Sequence, residues 1–326
     1  MTTRPITAFA DHELRNSPAE PHHHLVQAHV LGVREIAPHL RRIELTSPDF
    51  HNWTMTGPDE FFGLVMPPEH LNTTSAFFPM LENLPRQERA NLRSTLNVID
   101  EDERPALRWY TVRHLDTQRG VMAFDIATHG VTHESLVNSA DAHADIGPGL
   151  RWALCAQPGD PVGIFSARGL WDRRWDRQLV VADASSVPSA LAIAEFMSDL
   201  HPGQLQSIRF VITVESEADI EASSVEWLRT HAEHVEILYR PIAKQADATL
   251  SYLQSESHAK PDYVWVSGEG NLCKDIRRLA IKEWGLETDA IFWCPLLVHR
   301  TTPPLNSHFS AHIFSPYSLK VDTSTP

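Results

Sequence analysis

The hydrophobic pattern of this chain changes character near Trp175, and that change limits the folds it can adopt. Before this point, short apolar runs such as Phe61–Met66 are separated by turn residues such as those at 57–59. Short strands broken by frequent turns favour an antiparallel barrel. After it, continuous apolar runs such as 179–182 alternate with helix-like stretches such as 189–200. This alternation predicts a parallel sheet with helices on both faces.

We therefore predict two domains within the 326 residues, since a chain of this length can bury two separate cores. Residues 25–175 are predicted to form the barrel, with a helical insertion near residues 69–105. Residues 176–300 are predicted to form the α/β domain. Residues 1–24 and 301–326 have no sustained periodicity and are predicted to be a flexible leader and a C-terminal tail.

Composition excludes several classes of function. A formal net charge of -14 argues against a nucleic-acid-binding surface. No early segment approaches the roughly 20 apolar residues of a membrane span or resembles a signal peptide, so we expect a cytoplasmic protein without membrane insertion. Cys155, Cys273 and Cys294 are far apart in sequence, and the 19 histidines form no helix-spaced pair with an acidic partner. No metal site is predicted.

Residues 108–113, with the sequence Arg-Trp-Tyr-Thr-Val-Arg, carry unusual chemistry for a strand. Alternation places Arg108 and Tyr110 on one face and Trp109, Thr111 and Arg113 on the other. An aromatic ring, a hydroxyl and a guanidinium suit a planar anionic ligand such as a flavin. The alternative is an ordinary edge strand whose arginines are solvated.

A second motif, Gly147-Pro148-Gly149, precedes an apolar stretch at residues 150–153. Glycine lets the backbone approach a ligand closely. If a short helix begins near Leu150, its free amides would face an anion such as a pyrophosphate. The alternative is a plain glycine-proline turn.

Six motifs, taken in order, resemble those of the siderophore-interacting proteins, a branch of the ferredoxin-NADP reductase superfamily. They are residues 108–113, Asp125 with His129-Gly130, and residues 147–153, 158–160, 182–188 and 265–269. The resemblance implies a ferredoxin-NADP reductase-like fold, an antiparallel FAD-binding barrel followed by a Rossmann-like domain. It also implies a FAD-dependent enzyme that reduces ferric iron in a siderophore and releases ferrous iron in the cytoplasm. The electron donor would be NADH or NADPH, or a reduced ferredoxin as a protein partner.

The resemblance also implies which residues bind the cofactor. Arg108, Tyr110 and Thr111 would hold the isoalloxazine ring and the neighbouring phosphate of the cofactor. Asp183 and Ser185 fall in the loop after the first strand of the second domain. The full set implied for cofactor binding is Arg108, Trp109, Tyr110, Thr111, Asp125, His129, Gly130, Gly149, Arg151, Trp152, Ala153, Asp183 and Ser185.

Arg113 is our candidate for a catalytic cation. Many ferric siderophores are anionic, so a cation above the exposed flavin edge would help to bind them. The alternative is a salt-bridged barrel arginine.

The sequence departs from the family pattern in two places. Residues 184–186 are Ala-Ser-Ser, where the family usually has an acidic residue and a threonine. Residues 293–297 are Trp-Cys-Pro-Leu-Leu, where a Gly-Tyr-Trp-type segment is expected. The second departure prompts one alternative, a reductase of the same fold that acts on haem or a quinone. A further alternative is a non-enzymatic protein that binds an iron chelate and has a vestigial flavin site.

Overall fold

The computed structural model describes residues 25–68, 77–82, 92–97, 99–138, 146–172, 174–255 and 259–297. The predictions for residues 1–24 and 301–326, and for parts of the insertion near 69–105, lie outside the described residues. None of the helices in the described ranges is long and apolar enough to cross a membrane.

The first part of the chain forms an antiparallel sheet of seven strands in the order β4-β3-β7-β1-β2-β6-β5. The strands are β1 (Leu25–Ala37), β2 (Leu40–Thr46), β3 (Phe61–Met66), β4 (Ala106–Thr111), β5 (His114–Asp116), β6 (Val121–Ala127) and β7 (Pro161–Arg168). The helices are α1 (Phe77–Glu82), α2 (Leu92–Asn97), α3 (His133–Asn138) and α4 (Pro148–Cys155), with a 3-10 helix at Pro48–Asn52.

This sheet curls without closing. The strand order runs from β4 to β5 at its two edges, so the paired strands form a barrel-like sheet rather than a closed barrel. The chain just after β4 turns back toward β6, because the Arg113 amide donates to the Ala123 carbonyl at 2.8 Å. The core inside the curl includes Ile43, Phe62 and Phe124, all fully buried.

The two described helices of the insertion cover the outer side of the sheet. Phe77 of α1 and Leu92 of α2 are buried against Val65 of β3 and Phe165 of β7. A helical insertion was predicted here, and the two helices account for its apolar positions at residues 81, 92 and 96.

The second part of the chain is a parallel sheet of five strands in the order β10-β9-β8-β11-β12. The strands are β8 (Gln178–Asp183), β9 (Ile208–Val214), β10 (His234–Tyr239), β11 (Tyr263–Glu269) and β12 (Ile291–Leu297). The helices are α5 (Val187–Leu200), α6 (Pro202–Leu205), α7 (Ala222–His231), α8 (Ile242–Ser255) and α9 (Gly270–Lys282), with 3-10 helices at Glu217–Asp219 and Thr288–Ala290.

Burial in β8 explains why its sequence is continuously apolar. Val180 and Ala182 pack in the cluster on one face of the sheet, and Leu179 and Val181 pack in the cluster on the other. All four are fully buried. A strand covered by helices on both faces has no polar side, so the predicted Rossmann-like sheet is confirmed.

The two sheets are joined by buried or half-buried polar contacts. The Trp265 indole donates to Asp59 at 3.0 Å, and the hydroxyls of Thr111 and Ser189 lie 2.6 Å apart. Ion pairs join Arg113 to Glu195 and Arg42 to Glu221, and Nδ1 of His39 lies 3.0 Å from Oδ1 of Asp219. The carboxyl edge of the parallel sheet is therefore held in a defined place relative to the barrel-like sheet.

Candidate functional site

Arg108 and Tyr110 of β4 lie against the first turn of α4. A Cβ atom on Gly149 would lie 2.5 Å from the Tyr110 hydroxyl oxygen and 3.0 Å from Cγ of Arg108. Only glycine allows the helix backbone to come this close to the strand. The structure thus brings together three of the residues predicted for the cofactor.

Within the described part of the chain, no side chain caps the N-terminus of α4. Gly147 occupies the N-cap position in an extended conformation, and Pro148 follows it in the first turn. The other end of the helix is fixed, because the Arg41 guanidinium donates to the carbonyls of Ala153 and Leu154 at 3.2 and 3.3 Å. Free amides at a helix N-terminus are suited to an anion. The predicted short helix is therefore present and begins two residues earlier than expected.

Tyr110 and Trp152 add two hydrogen-bond donors to this region. Burial raises the pKa of Tyr110 well above its usual range, although the charge of Arg108 opposes the shift. The phenol therefore stays protonated and can donate. Trp152 of α4 is 8% exposed, and its indole nitrogen has no hydrogen-bond partner among the residues that the structure describes. A buried donor without a partner is costly unless a ligand satisfies it.

His129 and Gly130 form a tight turn directly after β6. Their φ angles are 51° and 76°, so both residues are in the left-handed region. Left-handed backbone is uncommon for a residue other than glycine and often marks a functional turn. The turn is bonded to the neighbouring hairpin, because the Thr128 amide donates to the His39 carbonyl at 2.8 Å.

Asp183 and Ser185 lie at the carboxyl edge of the parallel sheet, as predicted. Asp183 ends β8 and accepts hydrogen bonds from the Ser185 amide (2.9 Å), the Ser185 hydroxyl (2.6 Å) and the Glu269 amide (2.6 Å). Burial raises the pKa of Asp183, while these hydrogen bonds and, more weakly, the charge of His129 oppose the rise. Residues from both sheets meet near this edge, because the His39 amide donates to the Ala218 carbonyl at 2.9 Å.

Three residues of the predicted set have other partners. The Trp109 ring packs edge-on against Phe61 and beside Phe165, in the cluster under the inserted helices. The Thr111 hydroxyl bonds Ser189 of α5, and Asp125 forms a buried two-point ion pair with Arg42 at 2.6 and 2.8 Å. These contacts favour structural roles for Trp109, Thr111 and Asp125.

Arg113 is also engaged. Its guanidinium forms a two-point ion pair with Glu195 of α5 at 2.6 and 2.5 Å, and its side chain is 3% exposed. A cation that binds an anionic substrate must face solvent or the flavin edge. The geometry therefore favours the salt-bridged alternative, and we correct the assignment of Arg113 from a substrate-facing cation to a residue of the domain interface.

Sequence reasoning missed the partners across the interface, Glu195, Arg42, Asp59, His39 and Asp219. Glu195 lies in a mostly apolar helix, and Arg42 lies in a strand beside the fully buried Ile43. A charged residue among apolar neighbours often has a partner, and this signal could have identified these two residues.

Comparisons with known protein families cover both parts of the chain. Residues 29–171 match the family model of the siderophore-interacting FAD-binding domain, and residues 175–295 match the model of the siderophore-interacting protein. Together the two matches extend over both sheets.

Several curated proteins match this chain at low sequence identity. The NADPH-dependent ferric-chelate reductase of Escherichia coli is 28% identical over 187 residues, 56% of this chain and 62% of that protein. The ferric vibriobactin reductase ViuB of Vibrio cholerae is 26% identical over 257 residues, 74% of this chain and 81% of that protein. The chain spans about half the length of uncharacterized Mycobacterium relatives, 51% in each case, at 27% identity.

Solved structures show the same fold. The siderophore-interacting protein SipS from Aeromonas hydrophila aligns with a TM-score of 0.62 at 19% identity, covering 85% of this chain and 93% of that chain. A siderophore utilization protein from T. fusca aligns with a TM-score of 0.56 at 23% identity, covering 87% and 95%.

Proposed function

Because this chain belongs to the siderophore-interacting protein family of the ferredoxin-NADP reductase superfamily, we propose that it is a FAD-dependent reductase of ferric siderophores. In this proposal it takes electrons from NADH, NADPH or a reduced ferredoxin and reduces the chelated ferric iron. The more weakly held ferrous ion is then released in the cytoplasm. The names of the reductases from Escherichia coli and Vibrio cholerae support the reaction class.

The observation that carries the proposal is the contact of Arg108 and Tyr110 with the uncapped end of α4 at Gly149. It combines a guanidinium, a protonated phenol, free helix amides and the unsatisfied indole nitrogen of Trp152. This donor set suits the phosphates and polar ring edge of FAD, so the residues present fit the cofactor.

Bound FAD would accept two electrons as a hydride and release them singly, which matches the one-electron reduction of ferric iron. In the proposed site, the Arg108 guanidinium and the α4 amides hold a phosphate by charge and hydrogen bonds. Tyr110 would donate a hydrogen bond to the cofactor through its hydroxyl, and Trp152 would donate one through its indole N–H. The left-handed His129–Gly130 turn and the nearby Arg151 and Ala153 are proposed to line the rest of the cofactor.

The electron donor is proposed to approach the carboxyl edge of the parallel sheet, near Asp183 and Ser185. In open α/β sheets, ligands bind outside the carboxyl ends of the strands. The unusual segment at residues 293–297 belongs to β12, the edge strand beside β11, where the Cys294 carbonyl accepts from Ser267 at 3.0 Å. Residues 293–297 are the carboxyl end of β12, so this sequence difference lies at the carboxyl edge of the sheet, where the donor is proposed to bind.

An anaerobic titration tests the proposal. The purified protein is loaded with FAD and its flavin absorption is followed during addition of NADH, NADPH or reduced ferredoxin, and then of a ferric siderophore. We expect at least one donor to bleach the flavin and the ferric siderophore to restore its absorption.

Each other outcome contradicts a defined part of the proposal. No flavin uptake would exclude a FAD enzyme, and no reduction by any donor would favour an iron-chelate binding protein. Reoxidation by haem or a quinone, but not by the ferric siderophore, would retain the reductase and replace its substrate.

A further inference from the structure

His39 lies at the junction of three elements. It occupies the turn between β1 and β2, and its amide donates to the Ala218 carbonyl of the second domain at 2.9 Å. Its own carbonyl accepts from the amide of Thr128, which precedes the His129–Gly130 turn, at 2.8 Å. One residue of the barrel-like sheet is thus bonded through its backbone to both the second domain and the candidate cofactor turn.

The imidazole ring of His39 contacts the same two regions, the second domain and the His129–Gly130 turn. Nδ1 lies 3.0 Å from Oδ1 of Asp219, and on the other side Nε2 lies 3.2 Å from the place where a Cβ on Gly130 would be. Since a carboxylate only accepts, the ring donates its Nδ1 hydrogen to Asp219. The ring therefore fills the space between Asp219 and Gly130.

The Asp219 side of this contact is well fixed. Asp219 is 2% exposed, and its second carboxylate oxygen accepts from the Ser216 amide at 2.8 Å in a capping box. Ser216 and Asp219 follow β9 at the carboxyl edge of the parallel sheet. A displacement of this segment would thus be transmitted through His39 to the His129–Gly130 turn.

We propose that His39 is a positioning residue that aligns the His129–Gly130 turn of the flavin site with the carboxyl edge at residues 216–219. The proposal rests on the proposed function, in which the first element holds FAD and the second lies at the edge used by the donor. Electron transfer depends steeply on placement, and a displacement of about 1 Å can cost as much as a hundredfold in rate.

A matched control exists within the same sheet. His51 bonds the Thr117 carbonyl through Nδ1 at 2.7 Å, and its Nε2 lies 2.8 Å from the Cβ position of Gly120, another left-handed glycine. It thus resembles His39 in packing against a glycine turn, but its described contacts are within the first domain. His39→Leu removes the connection, His39→Asn retains an amide donor near the Nδ1 position, and His51→Leu makes the same chemical change elsewhere.

The first test is the rate of flavin reduction in the FAD-loaded protein at saturating donor. We expect His39→Leu to lower this rate by about tenfold, and His39→Asn and His51→Leu to stay within about twofold of the original protein. A purely structural histidine would lower the unfolding midpoint without changing the rate at saturation. An unchanged rate in folded His39→Leu would overturn the proposal.

The second test uses the protein without FAD and does not depend on the proposed function. Hydrogen exchange is measured in the segments at 128–131 and 216–220. We expect His39→Leu to speed exchange in both segments and His51→Leu in neither. Faster exchange in one segment alone, or in neither, would overturn the coupling even if the flavin proposal holds. A protein that takes up no FAD would refute the proposed function and leave this test valid.

If His39→Leu does not fold, Asp219→Asn alters the same contact from the second domain. We expect it to change the reduction rate and both exchange segments in the same direction as His39→Leu. No change in either measurement would again overturn the proposal.

Discussion

At the scale of the residue, Gly149 is the position where the candidate cofactor site is least tolerant of added volume. We expect Gly149→Ala to weaken FAD binding about tenfold, because its methyl group would displace the Tyr110 hydroxyl and the Arg108 side chain at a cost of about 1–3 kcal/mol. Gly147→Ala is the matched control, since no atom in the described ranges lies within 4 Å of its Cβ position. Equal FAD affinities in a fluorescence titration of the two variants would locate the cofactor away from α4.

Arg108 tests the electrostatic part of the same site. Its side chain is exposed at the end of α4, where a phosphate contact is proposed. We expect Arg108→Ala to weaken FAD binding by about 2 kcal/mol, roughly 30-fold in the dissociation constant, because a charge-assisted hydrogen bond is lost. The exposed Arg119, in the turn before β6, serves as the control. If Arg119→Ala has the same effect, the loss reflects net charge and not a contact.

Sequence could predict which side chains of β4 share a face, and it could not predict what each face meets. Strand alternation predicts that Arg108 and Tyr110 share a face, and the structure confirms this because both side chains lie against Gly149. The same alternation placed Thr111 with Arg113, and both contact α5, at Ser189 and Glu195. These partners are 78 and 82 residues away in sequence, where local periodicity carries no information. The polar groups of Thr111 and Arg113, which the sequence assigned to the cofactor and the substrate, therefore contact the second domain in the structure.

At the scale of the element, the strands and helices of the second domain were the most predictable part. The continuous apolar run at residues 179–182 lies within β8, and the helix-like stretch at residues 189–200 lies within α5. Long apolar runs are local signals. By contrast, α3 lies outside the helical insertion predicted near residues 69–105.

An ion pair contributes to the contact between α5 and the chain just after β4. Glu195→Gln would leave the buried Arg113 guanidinium without its counter-charge. We expect a loss of about 2–3 kcal/mol in the free energy of unfolding, somewhat below the usual figure for a broken buried pair because Glu195 is 29% exposed. Urea unfolding measures the loss. Asp262→Asn breaks the exposed pair with Arg177 and should change stability little, so equal losses would contradict the buried role.

At the scale of the whole molecule, charged and polar groups take part in the connection between the two sheets, and this makes their association sensitive to ionisation. Asp59, before β3, is among the most buried of these groups, at 2% exposure. Its carboxylate accepts from the Leu170 amide at 3.0 Å and from the Trp265 indole of the parallel sheet at 3.0 Å. Burial raises the pKa of Asp59 above its ordinary value of 3.8, although these hydrogen bonds oppose the rise.

The free energy of unfolding depends on pH because the pKa of Asp59 differs between the folded and the unfolded protein. The folded protein holds the Asp59 proton more tightly than the unfolded chain, so stability from this group is present below 3.8 and is lost as pH rises toward the raised pKa. The amide introduced by Asp59→Asn cannot titrate, and we expect this substitution to remove the decline. The unfolding free energy of the original protein minus that of the variant should fall as the pH rises above 3.8.

Asp262 supplies the control for this prediction. Its hydrogen bond with Arg177 lowers the pKa of Asp262, so the stability that it contributes is complete above the ordinary value and is lost only as pH falls below it. The corresponding difference for Asp262→Asn should therefore be flat across the same range. Urea unfolding at several pH values measures both differences. A flat difference for Asp59→Asn as well would mean that the interface accommodates the ionised carboxylate, with the indole of Trp265 and the amide of Leu170 outweighing its burial.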